Sequence, residues 1–133
     1  MELIENKWYK RDGACVTAIE KIEKSLNVTF SEQYKIFLSW SNGGEGVFGN
    51  NYIYIWAIED VITYNNDYRI QKFLQKDYLA FGMDGDVGYV FYLPDHSIYR
   101  VDFGDLDLES IKFVASSFAE FLGKALYVNF NKL

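Results

Sequence analysis

Residues 40–46 read WSNGGEG, and three glycines in four positions can either cradle a phosphate or end a helix. The residues before them predict a helix, because Ser31 is a suitable N-cap and Tyr34, Phe37 and Leu38 recur on one helical face. The glycines therefore follow a helix.

Phosphate-binding glycines normally precede a helix, because the helix N-terminus offers free N–H groups and the positive end of the dipole. Here the carbonyl end of the helix faces the glycines, and Glu45 adds a negative charge. The stretch also lacks both GxGxxG and the Lys-Ser/Thr of a P-loop. It predicts a helix that ends at Asn42 or Gly43 and leads into a strand.

Two further helices begin with capping boxes, at residues 17–20 and 117–120. The first box predicts a helix over 18–26, with Asn27 as its stop. The second opens an amphipathic helix whose apolar positions are Phe118, Phe121, Leu122, Ala125 and Leu126.

Runs of β-branched and aromatic residues predict strands at 52–58, 78–81, 87–93, 98–103 and 111–114. A short helix is predicted at 59–66, with loops or turns at 67–77, 82–86, 94–97 and 104–110. Helices, then an antiparallel meander, then a closing helix predict a single α+β domain over residues 1–133.

The composition fits an ordinary globular chain. Half of the 133 residues are apolar, and the single cysteine, Cys15, excludes an intrachain disulfide. The N-terminal sequence does not have the pattern of a signal peptide, and no apolar run reaches the length of a membrane span. We therefore expect a soluble, cytoplasmic protein that does not bind membranes.

The negative charge is concentrated in one stretch. Residues 84–109 contain seven acids and one base, Arg100, which accounts for the whole formal net charge of −6. Such a segment repels nucleic acid and attracts basic partners, although it can also be a solvated face that only keeps the protein soluble.

Few residues offer catalytic or metal chemistry. His96 is the only histidine and lies in a predicted turn, and we interpret Cys15 as a buried small residue. The acids at 84–86 and 102–109 do not match a calcium loop, but paired carboxylates there remain an alternative acid–base site. Lys7, Lys10 and Arg11 alternate with aromatic residues, which we interpret as an anchor for the N-terminal arm in preference to a nucleic-acid site.

Taken together, the motifs resemble the SUKH superfamily, which includes a yeast cell-wall-synthesis regulator and many bacterial toxin-immunity proteins. The resemblance runs from about residue 17 to 126. One departure is Phe30-Ser31, where the family usually has Leu-Pro. The motifs that carry it are IEKIEKSL at 19–26, FSEQYKIFLSWSNGG at 30–44, IYIWAIEDV at 53–61 with Asn65 downstream, YLAFGMDGDVGYVFYL at 78–93 and SSFAEFLGKAL at 116–126.

The resemblance implies a curved antiparallel sheet of about five to six strands with about four helices. It also implies a binding protein without catalytic residues, cofactor or metal. The signature positions, which we expect to be structural, are Asn42, Gly43, Gly44, Gly82, Gly88, Phe118 and Phe121.

The leading hypothesis is an immunity protein that neutralises a cognate toxin of nuclease type. We expect the protein to be a monomer. An acidic surface would complement the basic cleft of such a toxin. The alternative is a regulatory or scaffold module of the same fold, while an enzyme and a nucleic-acid binder are disfavoured. The residues expected to bind the partner are Asp84, Asp86, Asp102, Asp105, Asp107 and Glu109.

Overall fold

A computed structural model describes residues 7–133, and within that range the chain forms one antiparallel sheet in which spatial order equals chain order. The strands are β1 (Trp8–Lys10), β2 (Gly44–Phe48), β3 (Asn51–Ile55), β4 (Tyr78–Asp84), β5 (Val87–Tyr92), β6 (Ser97–Asp102) and β7 (Lys112–Ala115). The helices are α1 (Val16–Leu26), α2 (Glu32–Trp40), α3 (Ile58–Tyr68), α4 (Ile70–Leu74) and α5 (Phe118–Ala125), followed by a 3₁₀ turn (Phe130–Lys132). The α+β prediction is confirmed, with slightly more strands than expected.

The glycine-rich stretch ends α2, as its order along the chain predicts, but it also forms the start of β2, a strand that lies before the one predicted at 52–58. Gly43 has φ of 79°, and a Cβ on it would lie 2.5 Å from the Ile55 carbonyl oxygen. A Cβ on Gly44 would lie 2.7 Å from Nε1 of Trp8. The missing side chains therefore let β1 and β3 pack closely around the start of β2.

Two of the predicted caps are present. The Ser31 Oγ accepts the N–H of Tyr34 at 3.1 Å, and the Ser117 Oγ accepts the N–H of Glu120 at 3.1 Å. The Glu120 carboxylate accepts the N–H of Ser116, one residue before the cap. In a standard capping box the Glu120 carboxylate would accept the N–H of the N-cap residue, Ser117; here it accepts the N–H of the residue before it.

The capping box at 17–20 is wrong. Helix α1 begins at Val16, its N-cap is Cys15 without a side-chain cap, and Thr17 lies inside the first turn. The start is set from outside the helix, because the N–H of buried Ala14 donates to the Leu38 carbonyl at 2.8 Å. The stop at Asn27 is confirmed by its left-handed φ of 55°.

The predicted loop at 67–77 instead contains the end of α3 and the single-turn helix α4. Arg69 adopts a left-handed φ of 58° between the two helices. Ile70 and Leu74, four residues apart, are fully buried. Tertiary burial of these two side chains therefore forms a helix that the polar sequence does not predict.

Aromatic rings dominate the core. The fully buried ring of Tyr34 lies 5.0–5.9 Å from four others, those of Phe30, Phe81, Phe91 and Phe118. Such tilted and edge-to-face contacts add to the stabilisation from burial. They fasten α2 and α5 to the same region of the sheet.

Buried asparagines connect segments that are far apart in sequence. The Asn51 amide nitrogen donates to the carbonyls of Ala125 and Val128 at 2.8 and 2.7 Å, and its oxygen accepts the N–H of Phe130 at 2.9 Å. The Asn65 side chain bonds both the N–H and the carbonyl of Ala80, at 2.9 and 2.8 Å. These side-chain amides form hydrogen bonds with backbone N–H and C=O groups that have no partner on a neighbouring strand.

Candidate partner-binding surface

The meander brings the expected acids to one end of the sheet. Asp84 closes β4 and Asp102 closes β6, and both pair with Val87 at the start of β5. Asp86 lies in the intervening turn, where its carbonyl accepts the N–H of Phe103 at 2.9 Å. The turn between β4 and β5 therefore adjoins the connection that leaves β6.

That connection carries the remaining three acids. Asp105 forms a bridge with Asp102, which keeps the start of the connection at the same sheet end. Asp102 accepts the N–H of Gly104 at 2.8 Å, and Asp107 accepts the N–H of Glu109 at 3.0 Å. Some of the carboxylates therefore also shape the turns they occupy. We call the set the acidic end; it comprises Asp84, Asp86, Asp102, Asp105, Asp107 and Glu109.

The acidic end is open to solvent and its charge is not neutralised internally. Asp84 is half-buried and the other five side chains are exposed. The ion pairs formed among residues 7–133 involve only Glu23, Glu32 and Glu120. The one base within the acidic stretch, Arg100, donates instead to the Phe130 carbonyl at 2.9 Å and to the Asn131 side chain. The end thus presents a one-signed field to solvent.

An aromatic stack that sequence reasoning missed borders the acidic end. The rings of Phe103 and Tyr68 stack at 3.9 Å with an interplanar angle of 6°, and both are half-buried. Gly88 makes room for Phe103, because a Cβ there would lie 2.4 Å from the ring. The available signal was Phe103 itself, an aromatic residue at the end of the strand predicted at 98–103 and next to an acid-rich loop.

The signature positions lie at backbone junctions and in the core. Asn42 accepts the N–H of Ile58 at 2.8 Å and donates to both Glu59 oxygens at 2.9 Å. A Cβ on Gly82 would lie 2.5 Å from the Tyr54 carbonyl oxygen. Phe118 and Phe121 are almost fully buried. None of these positions offers a side chain to a partner at the acidic end, and Gly88 contributes only by leaving room for the Phe103 ring.

The remaining candidates differ in outcome. Trp8 is buried and donates to the Ser41 hydroxyl at 3.3 Å, which confirms the aromatic anchor of the N-terminal arm. The prediction for Cys15 is wrong, because as the N-cap of α1 it is exposed. Its pKa is lowered, mainly by the hydrogen bond from the Thr17 hydroxyl. His96 lies in a turn with a left-handed φ of 61°.

Two observations describe what residues 7–133 do not contain. No group of three or more His, Cys, Asp and Glu side chains is placed to hold a metal ion. Within the same range, none of the helices is both long enough and apolar enough to cross a membrane.

Comparison with known proteins places the chain in a family. No curated protein matches its sequence. A family model described as the SMI1 / KNR4 family (SUKH-1) matches residues 13–124, which is most of the chain and includes every strand from β2 to β7. The chain therefore belongs to the SMI1/KNR4 family, SUKH-1.

Proposed function

We propose that this protein is a non-enzymatic, cytoplasmic immunity protein that binds and neutralises a toxin domain of nuclease type through the acidic end. The observation that carries the proposal is the convergence of six carboxylates, none of them in an internal ion pair among residues 7–133, at one end of the sheet. Membership of the SUKH-1 family supports a role in protein binding.

The electrostatics favour a basic partner. A nuclease cleft must attract phosphates, so it carries Lys and Arg side chains that a carboxylate surface can occupy. Opposite charges on the two surfaces also steer encounter and raise the association rate, an effect that salt screens. Phe103 and Tyr68 would add aromatic contact area beside the charges.

The alternative function is a regulatory or scaffold module that binds an ordinary cellular protein. The same family membership supports it, because the superfamily that the sequence resembles includes a yeast cell-wall-synthesis regulator. The two functions differ in what the partner does when it is produced alone.

The deciding experiment is capture of partners from the native cell by the tagged protein, at low and at high salt, with identification by mass spectrometry. A captured basic domain is then expressed alone and together with this protein. Lethality that co-expression abolishes supports immunity. A captured partner that is harmless alone contradicts immunity and favours the regulatory alternative.

A charge-reversal pair tests the surface itself. Asp86, Asp105 and Glu109 are each changed to Lys, since their carboxylates cap no backbone turn. The matched control reverses Asp12, Glu20 and Asp60, which are also exposed and outside the ion pairs found among residues 7–133, but lie before α1, within α1 and in the first turn of α3. We expect only the first variant to lose the partner and the protection. Equal binding by both variants would exclude the acidic end.

A further inference from the structure

Three tyrosines surround one carboxylate on the first three strands. Glu45 of β2 pairs with Tyr9 of β1 on one side and with Tyr54 of β3 on the other. Tyr52 lies two residues from Tyr54, so its side chain is on the same face of the sheet. We call Tyr9, Glu45, Tyr52 and Tyr54 the tyrosine–carboxylate cluster.

The cluster is on the solvent side of the sheet. Alternate residues of the same strands, among them Trp8 and Ile53, are buried in the core. Tyr9 and Tyr52 are 77% and 38% exposed, whereas Glu45 and Tyr54 are half-buried. Directly paired residues in antiparallel strands have Cβ atoms about 5 Å apart, so both neighbouring tyrosines are within reach of the Glu45 side chain.

The carboxylate is held in place but is not neutralised. The Tyr52 hydroxyl donates to Glu45, and this hydrogen bond is the main cause that raises the pKa of Tyr52 to about 12. The hydroxyl therefore stays protonated at neutral pH and fixes the orientation of the carboxylate. In the part of the chain that the structure describes, no ion pair includes Glu45, although Lys7 directly precedes β1 and its carbonyl lies beside Gly46.

We propose that the tyrosine–carboxylate cluster binds an arginine side chain of a partner protein. A carboxylate can accept two parallel N–H bonds from a guanidinium group, and tyrosine rings can stack on its plane. The cluster supplies both features on rigid, paired strands. An ammonium group is a point charge without a stacking plane, so lysine would bind more weakly.

This inference adds a second surface and does not depend on the acidic end. The six acids of that end lie at the ends of β4 and β6 and in the connections beside them, whereas the cluster lies on β1 to β3. The two surfaces adjoin, because Tyr54 pairs with Met83, the residue before Asp84. The cluster can therefore be tested with a small probe in the absence of any toxin.

The probe is N-acetyl-arginine amide, titrated into the labelled full chain and followed by two-dimensional amide NMR. N-acetyl-citrulline amide has the same shape without the charge and is the matched control ligand. We expect arginine to shift the amides of β1 to β3 with a dissociation constant of about 1–10 mM, and citrulline to bind at least about fivefold more weakly. Equal shifts from both probes, or no shift up to about 50 mM arginine, would overturn the proposal.

Two variants locate the site. We expect Glu45→Gln and Tyr54→Leu each to weaken arginine binding at least about fivefold, through the loss of the charge and of a stacking ring. The matched controls are Glu109→Gln at the acidic end and Tyr127→Leu, since Tyr127 is 88% exposed and lies after α5. Shifts that move to the acidic end, or that survive both cluster variants, would contradict the assignment.

The two proposals fail in different ways. If the acidic end is wrong, the triple lysine variant still captures its partner and arginine still binds the cluster. If the assignment of arginine to the cluster is wrong, the wild-type chain does not bind arginine, or Glu45→Gln binds it equally well. The two charge-reversal variants still differ in partner capture.

Discussion

Asn42 caps a helix that begins 16 residues later, because its side-chain oxygen accepts the N–H of Ile58 at 2.8 Å. The local N-cap of α3 is Ala57, whose side chain cannot accept a hydrogen bond. The residue that follows α2 thus satisfies the first turn of α3, and its amide nitrogen also holds Glu59.

We therefore expect Asn42→Ala to lower the free energy of unfolding by about 1–2 kcal/mol, the usual effect of losing a helix cap. Urea denaturation of the purified chain measures it. Asn42→Asp keeps the acceptor but places a second carboxylate against Glu59, so Asn42→Asp combined with Glu59→Gln should recover most of the loss. An Asn42→Ala variant as stable as the wild type would show that the cap is dispensable.

The Tyr34 hydroxyl is buried and has no hydrogen-bond partner among residues 7–133, and burial strongly raises the pKa of the group. Tyr34→Phe removes an unsatisfied polar atom and keeps the ring, so we expect unfolding stability to be unchanged or to rise by about 1 kcal/mol. Tyr34→Leu, which deletes the ring contacts, should be destabilising. A loss of more than about 1 kcal/mol in Tyr34→Phe would mean that the hydroxyl is satisfied in solution.

Gly82 and Gly123 form a matched pair for the effect of one added methyl group. A Cβ at position 82 would meet the Tyr54 carbonyl oxygen at 2.5 Å, whereas one at position 123 would have no described atom within 4 Å beyond its chain neighbours and its own helix backbone. We expect Gly82→Ala to cost about 1–3 kcal/mol by forcing β3 from β4. Gly123→Ala, in helix α5, should gain about 0.5–1 kcal/mol. Thermal and urea unfolding of both variants test the contrast, and equal effects would contradict it.

Glu120 makes stability depend on pH in the acid range. Hydrogen bonds from Ser116, followed by Lys124, lower its pKa from 4.5 to about 2. Because the folded-state pKa lies below the unfolded value, the stabilisation is present above pH 4.5 and disappears as the pH falls towards 2. We expect the difference in unfolding free energy between wild type and Glu120→Gln to shrink over that interval. A difference that stays constant from pH 7 to pH 2 would refute the assignment.

Local signals in the sequence predicted the elements whose cause is local. Ser31 and Ser117 cap helices by bonds to residues three positions away, so their neighbours along the chain identify them. Helix α4 and strands β1 and β2 were missed because they depend on distant partners. Helix α4 depends on the burial of Ile70 and Leu74, and β1 and β2 depend on the close approach of Trp8 to the glycines of β2. The prediction that Thr17 caps α1 was wrong for the same reason, since the backbone hydrogen bond of Ala14 to Leu38 fixes the chain just before the helix.

The candidate surfaces show the same division. The sequence left open whether the acids share one face. The observed meander brings Asp86 and Asp105 together, because alternate connections of an antiparallel meander fall at the same sheet end. The tyrosine–carboxylate cluster could not be predicted, because it requires the register that places Glu45 opposite both Tyr9 and Tyr54. The stack of Phe103 on Tyr68 likewise joins residues from elements whose packing has no local signal.

The Asn51 amide holds the segment after α5 with three hydrogen bonds, beside the bonds from Arg100 and the buried ring of Phe130. When that side chain releases, the carbonyls of Ala125 and Val128 and the N–H of Phe130 lose their partners together. We therefore expect the backbone amide of Phe130 to exchange its hydrogen with solvent faster in Asn51→Ala than in the wild type, while the central strands keep their protection. One asparagine in β3 thus protects backbone groups about 75 residues further along the chain.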